Sequence, residues 1–227
     1  DSFLLGAFNS RKANQVIQGL FPVPLGIYEF SRELTSDEVS FCKNQKFREN
    51  EYSHMMRIAK ISANTSVLFS ETLSNLREFI EGALRTYCED VYGFTHEKNE
   101  IYITQSWINE TSPNERFENH FHENSLVSGV FYIDVNENDR IEFVTPHKTS
   151  FVHAMMVSGE PYPQELSAYN ANTWWMPSKV GTLYLFPSTL PHGVPLVNGK
   201  SKRYSLSFNT FIRGEIGNYK DLTVLKL

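Results

Sequence analysis

The apolar residues of this chain change their repeat near residue 99, and no other feature constrains the fold as strongly. Before that point Leu73, Leu76, Ile80, Leu84, Tyr87 and Val91 recur at three- and four-residue spacing, the period of a helix that buries one stripe. The spacing predicts a helix over 66–92, stopped by Gly93, with the structural role of covering one face of a sheet. After it, residues 100–108, 126–134, 141–145, 181–186 and 203–212 alternate with period two, the mark of strands. Turn residues such as Asn136, Asn138, Asp139 and Gly199 fall between them. Such strands are expected to pair antiparallel, so the fold class read from the sequence is α+β: a double-stranded β-helix (jelly roll) core with flanking N-terminal helices. A single domain over 1–227 is expected, with 1–99 as helical and extended support, 100–213 as the jelly-roll core and 214–227 as a tail.

The support region carries three readable signals. Ser10–Ile17 suggests a short helix, and the prolines Pro22 and Pro24 make residues 20–30 an extended segment suited to a sheet edge. Thr35-Ser36-Asp37-Glu38 is a capping box, so a helix should follow through about Gln45. Residues 46–64 are polar and give no clear pattern. Within the core, 146–180 is a long uneven insertion holding Tyr162, Trp174 and Trp175. Loops of that length often bind ligands, and these aromatics either line a substrate mouth or anchor the loop.

Composition removes several classes. A formal charge of −5 argues against a nucleic-acid partner, and no apolar run has the length of a membrane span. The N-terminus lacks the pattern of a secretory signal. Cys42 and Cys88 form neither a disulfide framework nor a paired metal motif, which fits a reducing, cytoplasmic setting. The oligomeric state stays open.

The chemistry gathers in two stretches. His120 and His122 are two apart beside a strand, so both imidazoles can aim at one point. His192 follows the strand at 181–186 in a turn, and Arg203 opens the last strand. Three ligands on one face, with the remaining positions open, suit a redox iron that must also take a bidentate keto acid and dioxygen. His122 stands where such sites usually carry a carboxylate, and Glu118 has the strand parity to compete with it as third ligand, which Glu123 lacks. In the last strand Arg203, Ser205, Ser207 and Asn209 alternate with Tyr204, Leu206 and Phe208. Its polar face suits a cavity in which Arg203 holds a carboxylate by two parallel donors, with Ser205 adding a third.

His120-Phe121-His122, Ser128–Asp134, Gly181–Pro187, Pro191-His192-Gly193 and Arg203-Tyr204-Ser205 together resemble the iron- and 2-oxoglutarate-dependent oxygenase superfamily. The likeness is to its prolyl-hydroxylase-like branch, and there to 2OG-Fe(II) oxygenases of bacteria and phages that carry His-x-His. It covers about half the chain, and Phe21-Pro22-Val23-Pro24 also fits that family. The resemblance implies that His120 and His192 bind Fe(II), that His122 fills the carboxylate slot, and that Arg203, Ser205 and Tyr132 hold the distal carboxylate of 2-oxoglutarate. It implies an O2-dependent hydroxylase that releases succinate and CO2, with ascorbate in support, acting on a peptidyl side chain or a small molecule. Two alternatives remain: a three-histidine cupin-type metal enzyme that uses no keto acid, and a non-catalytic jelly-roll binding or virion-associated module.

Overall fold

The computed structural model describes residues 21–48, 59–94, 99–146, 171–196 and 199–227. Two sheets face each other, and every strand pairing among these residues is antiparallel. The larger sheet runs in the order β1 (Gly26–Glu29), β9 (Thr182–Pro187), β6 (Val127–Asp134), β11 (Arg203–Ile216), β4 (Asn99–Thr111), β3 (Lys60–Ser62) and β2 (Phe47–Arg48), with β12 (Leu225–Lys226) added to β11. The smaller runs β5 (Phe117–His120), β10 (His192–Val194), β7 (Arg140–Val144) and β8 (Thr173–Pro177). This is the jelly-roll core expected from the alternation, with the proline-flanked β1 at a sheet edge.

Helix α1 (Ser36–Lys43) starts as its capping box requires. The Thr35 hydroxyl accepts from the Glu38 amide at 3.2 Å, and the Glu38 carboxylate accepts from the Thr35 amide at 2.7 Å. The same carboxylate takes a two-pronged contact from Arg32, at 2.7 and 2.8 Å, which holds the Glu38 carboxyl below its ordinary pKa. Helix α2 (Ser74–Tyr92) buries Leu76, Ile80, Ala83, Leu84, Tyr87 and Cys88 and ends at Gly93, whose φ of 67° is the left-handed stop that glycine adopts without strain.

The helix is shorter than the 66–92 of the periodicity, because two 3₁₀ turns, Val67–Phe69 and Glu71–Leu73, precede it. The backbone there answers to the sheet. Ser106 Oγ of β4 accepts from the Leu68 amide at 3.0 Å, and Ser70 Oγ takes the Thr72 amide at 3.3 Å, so side-chain acceptors compete with a continuous helical ladder. The unpatterned 46–64 contains β2 and β3, which extend the large sheet past β4. The strand read over 203–212 continues to Ile216 and pairs with β12. The helix suggested at 10–17 and the insertion aromatic Tyr162 lie outside the described residues.

The large sheet divides its residues by parity. Its outer face, with Ile108, Phe131, Leu183, Leu206 and Phe208, packs under α2 in one continuous core. Gly129 belongs to that packing: a Cβ there would meet the Phe208 ring at 2.1 Å. The inner face turns toward the small sheet and is mostly polar near β4 and β11. The site lies between the sheets.

Candidate metal centre

Trp107, Asn109 and Thr111 of β4 stand directly opposite Ser207, Ser205 and Arg203 of β11, and all six line one cavity of about 230 Å³. The opposite wall comes from the small sheet, where His192 is the cross-strand partner of both His120 and Phe143. Pairing with these neighbours makes His192 the first residue of β10 rather than part of a turn. His120 ends β5, and His122 lies in the coil just beyond, its amide held by the Ser188 carbonyl at 2.9 Å. Gly193 follows because a Cβ there would strike Asn119 Oδ1 at 2.4 Å, the strands being that close.

The three rings converge. Their ligand atoms all lie within 4.8 Å of one another, and they are the one such histidine, cysteine or carboxylate cluster among the described residues. His120 Nδ1 meets the Glu118 carbonyl at 2.7 Å and His192 Nδ1 meets the Leu190 carbonyl at 2.9 Å. With Nδ1–H donating to a carbonyl, Nε2 is left as the lone-pair nitrogen on both rings. Burial pushes His192 down to about 3, and burial with the neighbouring His120 pushes His122 down to about 4, so both are neutral ligands at pH 7. The Nε2 atoms of His122 and His192 are 3.3 Å apart. Two nitrogens bound at right angles about 2.1 Å from one cation would be about 3 Å apart, so the donor set fits a metal ion. Glu118, the competing ligand, is not in the cluster: its carboxylate is half exposed and pairs with Arg116.

The deep end of the cavity is built for an anion. Arg203 is 2 % exposed and forms an ion pair with no carboxylate of the described residues. One nitrogen donates to the Arg140 carbonyl at 3.2 Å, while Nε has no partner. Beneath it the Tyr132 ring centroid is 5.1 Å from the guanidinium carbon. The Tyr132 hydroxyl is buried without a hydrogen-bond partner, although Ser178 and Arg203 flank it, and burial raises its pKa. Ser178 Oγ is a third buried, unpartnered atom. Polar atoms rarely stay buried and unpaired in a finished site, and three donors together match the oxygens of a carboxylate. Ser205 borders the same space, whereas Asn209 turns aside to accept from Ser128 at 3.0 Å where β11 bulges.

The structure thus brings the three rings, Arg203 and Ser205 to one cavity with Tyr132 beside Arg203, and adds Ser178, Asn109 and Trp107, which the sequence does not single out. Ser178 had no signal of its own, being a serine at the end of an unpatterned insertion. Asn109 lies just past the strand expected over 100–108, and Trp107 shares its parity there with the apolar Ile101 and Ile103, so the pattern marks neither. Trp174 and Trp175 are exposed on β8, the edge of the small sheet.

An antiparallel jelly roll that brings a histidine cluster and a buried arginine to one cavity has the donor set for a metal ion and an anionic co-substrate. The comparisons narrow this. Residues 105–209 match the model of a family described as "Putative 2OG-Fe(II) oxygenase". That match spans just under half of the chain, and the reactants it points to are Fe(II), 2-oxoglutarate and O2. No curated protein sequence matches the chain. Among solved structures it resembles a Pseudomonas putida prolyl-4-hydroxylase at 11 % identity and a TM-score of 0.53, over 83 % of this chain and 94 % of that one. HygX from Streptomyces hygroscopicus, solved with nickel, 2-oxoglutarate and hygromycin B, matches at 12 % identity and 0.53 over 83 % of each chain. The epimerase SnoN from nogalamycin biosynthesis matches at 12 % identity and 0.53, over 83 % and 80 %. At such identities these three share the fold. No helix among the described residues is long and apolar enough to cross a membrane.

Proposed function

We propose that this chain is an Fe(II)- and 2-oxoglutarate-dependent hydroxylase of an unactivated C–H bond, with His120, His122 and His192 holding the iron. The observation that carries the reading is the pairing of a three-imidazole cluster with a buried, carboxylate-free Arg203 in one cavity. Bound Fe(II) and 2-oxoglutarate supply oxidation of the C–H bond, coupled to release of succinate and CO2. The chain supplies binding, orientation and shielding. Leu190 and Glu118 carbonyls fix the tautomers of His192 and His120. Arg203, Ser205 and Tyr132 hold the distal carboxylate, which directs the keto-acid end toward the histidines. Phe143 and Phe186 flank His192, with ring centroids at 6.3 and 4.7 Å, and keep water from that side.

The cavity is smaller than the roughly 300–1,000 Å³ typical for sites that engulf a whole drug-sized ligand. The co-substrate fills much of it, and a peptidyl side chain or small molecule reaches the site from the open space of about 570 Å³ that His120 and His122 also line. The prolyl-4-hydroxylase and the antibiotic-bound HygX named above exemplify the two classes. Three neutral imidazoles without a carboxylate also suit a cupin-type enzyme without a keto acid; Arg203 separates the two readings, because only the keto-acid enzyme needs it. The test is succinate formation from 2-oxoglutarate with Fe(II), O2 and ascorbate. Wild type is expected to form succinate, and His120→Ala and Arg203→Ala to lose most of it. Succinate at wild-type rates from Arg203→Ala would overturn the proposal.

A further inference from the structure

The three rings are not held alike. His120 and His192 each give Nδ1–H to a backbone carbonyl, but no backbone carbonyl of the described residues takes a proton from the His122 ring. His122 also lies in coil, so strand geometry does not fix its side chain. Besides the His120 and His192 rings at 5.0 and 5.1 Å, what it meets is Trp107, whose ring centroid lies 6.0 Å away at an interplanar angle of 37°. The indole is itself tethered. Trp107 Nε1 donates to Asn109 Oδ1 at 3.0 Å, and Asn109 Nδ2 donates to Ser207 Oγ at 2.8 Å and Ser205 Oγ at 3.3 Å. The Asn109 amide thus spends oxygen and nitrogen on protein partners, and its orientation has one solution. Asn109 is 8 % exposed, so breaking this chain leaves buried polar groups unpaired.

Resting on the iron-binding role proposed above for His122, we infer that Trp107, tethered by Asn109, is the positioning residue of that third ligand. It replaces with a fixed aromatic wall the hydrogen bond that orients each of the other two rings. Metal-ligating histidines depend on such outer partners, whose loss typically weakens metal affinity 10- to 100-fold. A tilted aromatic wall is a weaker restraint than a hydrogen bond, so the lower end of that range applies.

The experiment is anaerobic titration of the full chain with Co(II), followed by its visible absorption, on a matched set of variants. Trp107→Ala is expected to weaken Co(II) about tenfold and change the band shape. Trp107→Phe keeps a flat ring beside His122 and should recover most of the affinity. Asn109→Ala leaves the indole untethered and should fall between them. The decisive comparison is made in a His122→Ala background, where adding Trp107→Ala should change affinity by no more than about twofold, since the residue it positions is gone. Circular dichroism melts accompany each variant, and Trp107, which borders the cavity rather than the main core, should be replaceable without unfolding. Equal Co(II) affinity in wild type and Trp107→Ala, or an undiminished Trp107 effect in the His122→Ala background, overturns the inference and leaves the metal site standing. A wild type that takes up no Co(II) overturns the metal site, and this inference with it.

Discussion

Replacing Arg203 tests the co-substrate site most directly, because the structure fixes the sign of two effects at once. The guanidinium is almost fully buried, donates once to a backbone carbonyl at 3.2 Å, leaves Nε without a partner, and pairs with no described carboxylate. Its other favourable neighbour among the described residues is the face of Tyr132 at 5.1 Å, worth about 0.5–2 kcal/mol. That does not offset the several kcal/mol typical for desolvating a charge. Without 2-oxoglutarate, then, Arg203 is a cost to the fold, and Arg203→Met should leave the melting temperature of the ligand-free protein unchanged or raise it. With 2-oxoglutarate the balance inverts. Truncating one partner of a buried, hydrogen-bonded charge pair costs about 2–5 kcal/mol, and 2 kcal/mol alone is about thirtyfold in Kd. Calorimetric titration of 2-oxoglutarate into the Mn(II)-loaded protein without oxygen should therefore show at least that loss for Arg203→Met and Arg203→Ala. Mn(II) affinity should stay at the wild-type value, since Arg203 is not a ligand. Equal keto-acid affinity in wild type and variant would refute the reasoning, and so would a variant that loses the fold.

Three further outcomes are expected. Tyr132→Phe removes one neutral donor whose hydroxyl has no partner in the ligand-free site, so it should weaken 2-oxoglutarate by about tenfold in the same titration without lowering the melting temperature. The metal-free protein should lose stability on acidification from about pH 6.5: folded His122 and His192 resist protonation down to about 4 and about 3, whereas the unfolded chain takes up those protons near 6.5. Urea melts at pH 7 and pH 5 measure it, and the His122→Ala variant should show a smaller drop. Thr35→Ala breaks the capping box of α1 and should cost about 1 kcal/mol in a urea melt, with keto-acid binding unchanged.

How much of this was legible follows from the range of each signal. The period-two strands, the Gly93 stop and the Thr35–Glu38 box are local patterns, and each appears where its pattern predicts. His120, His192 and Arg203 were legible because their strand positions carried them to one cavity, which His122 joins from the coil after β5. Where tertiary contacts overrode local preference, the reading failed. The expected helix reaches back to residue 66, ahead of its first periodic residue Leu73, yet Ser106 of a distant strand takes the Leu68 amide and the segment forms 3₁₀ turns. Ser178 could not be found, because its only distinction is to be buried beside Tyr132 and Arg203. Trp107 and Asn109 share the parity of Thr111, but only the register that sets them opposite Ser207 and Ser205 marks them as lining the site.

That register also explains why a keto acid suits the cavity better than a metal alone. Asn109 points both amide contacts at Ser205 and Ser207 as acceptors, which leaves those two hydroxyl protons without a described protein acceptor. Arg203 can only donate, and the Tyr132 and Ser178 hydroxyls beside it are unpaired. The polar floor between the sheets is thus rich in free donors, and no carboxylate is among the described residues that line the cavity. A cation held by the three neutral imidazoles would add positive charge to a region that Arg203 already makes positive. A cupin-type site with no further ligand would leave both charges and every donor unanswered. A dianion with a carboxylate at each end answers them together, one end at Arg203 and the other at the histidines, and that requirement comes from the pairing of β4 with β11 as much as from the histidines themselves.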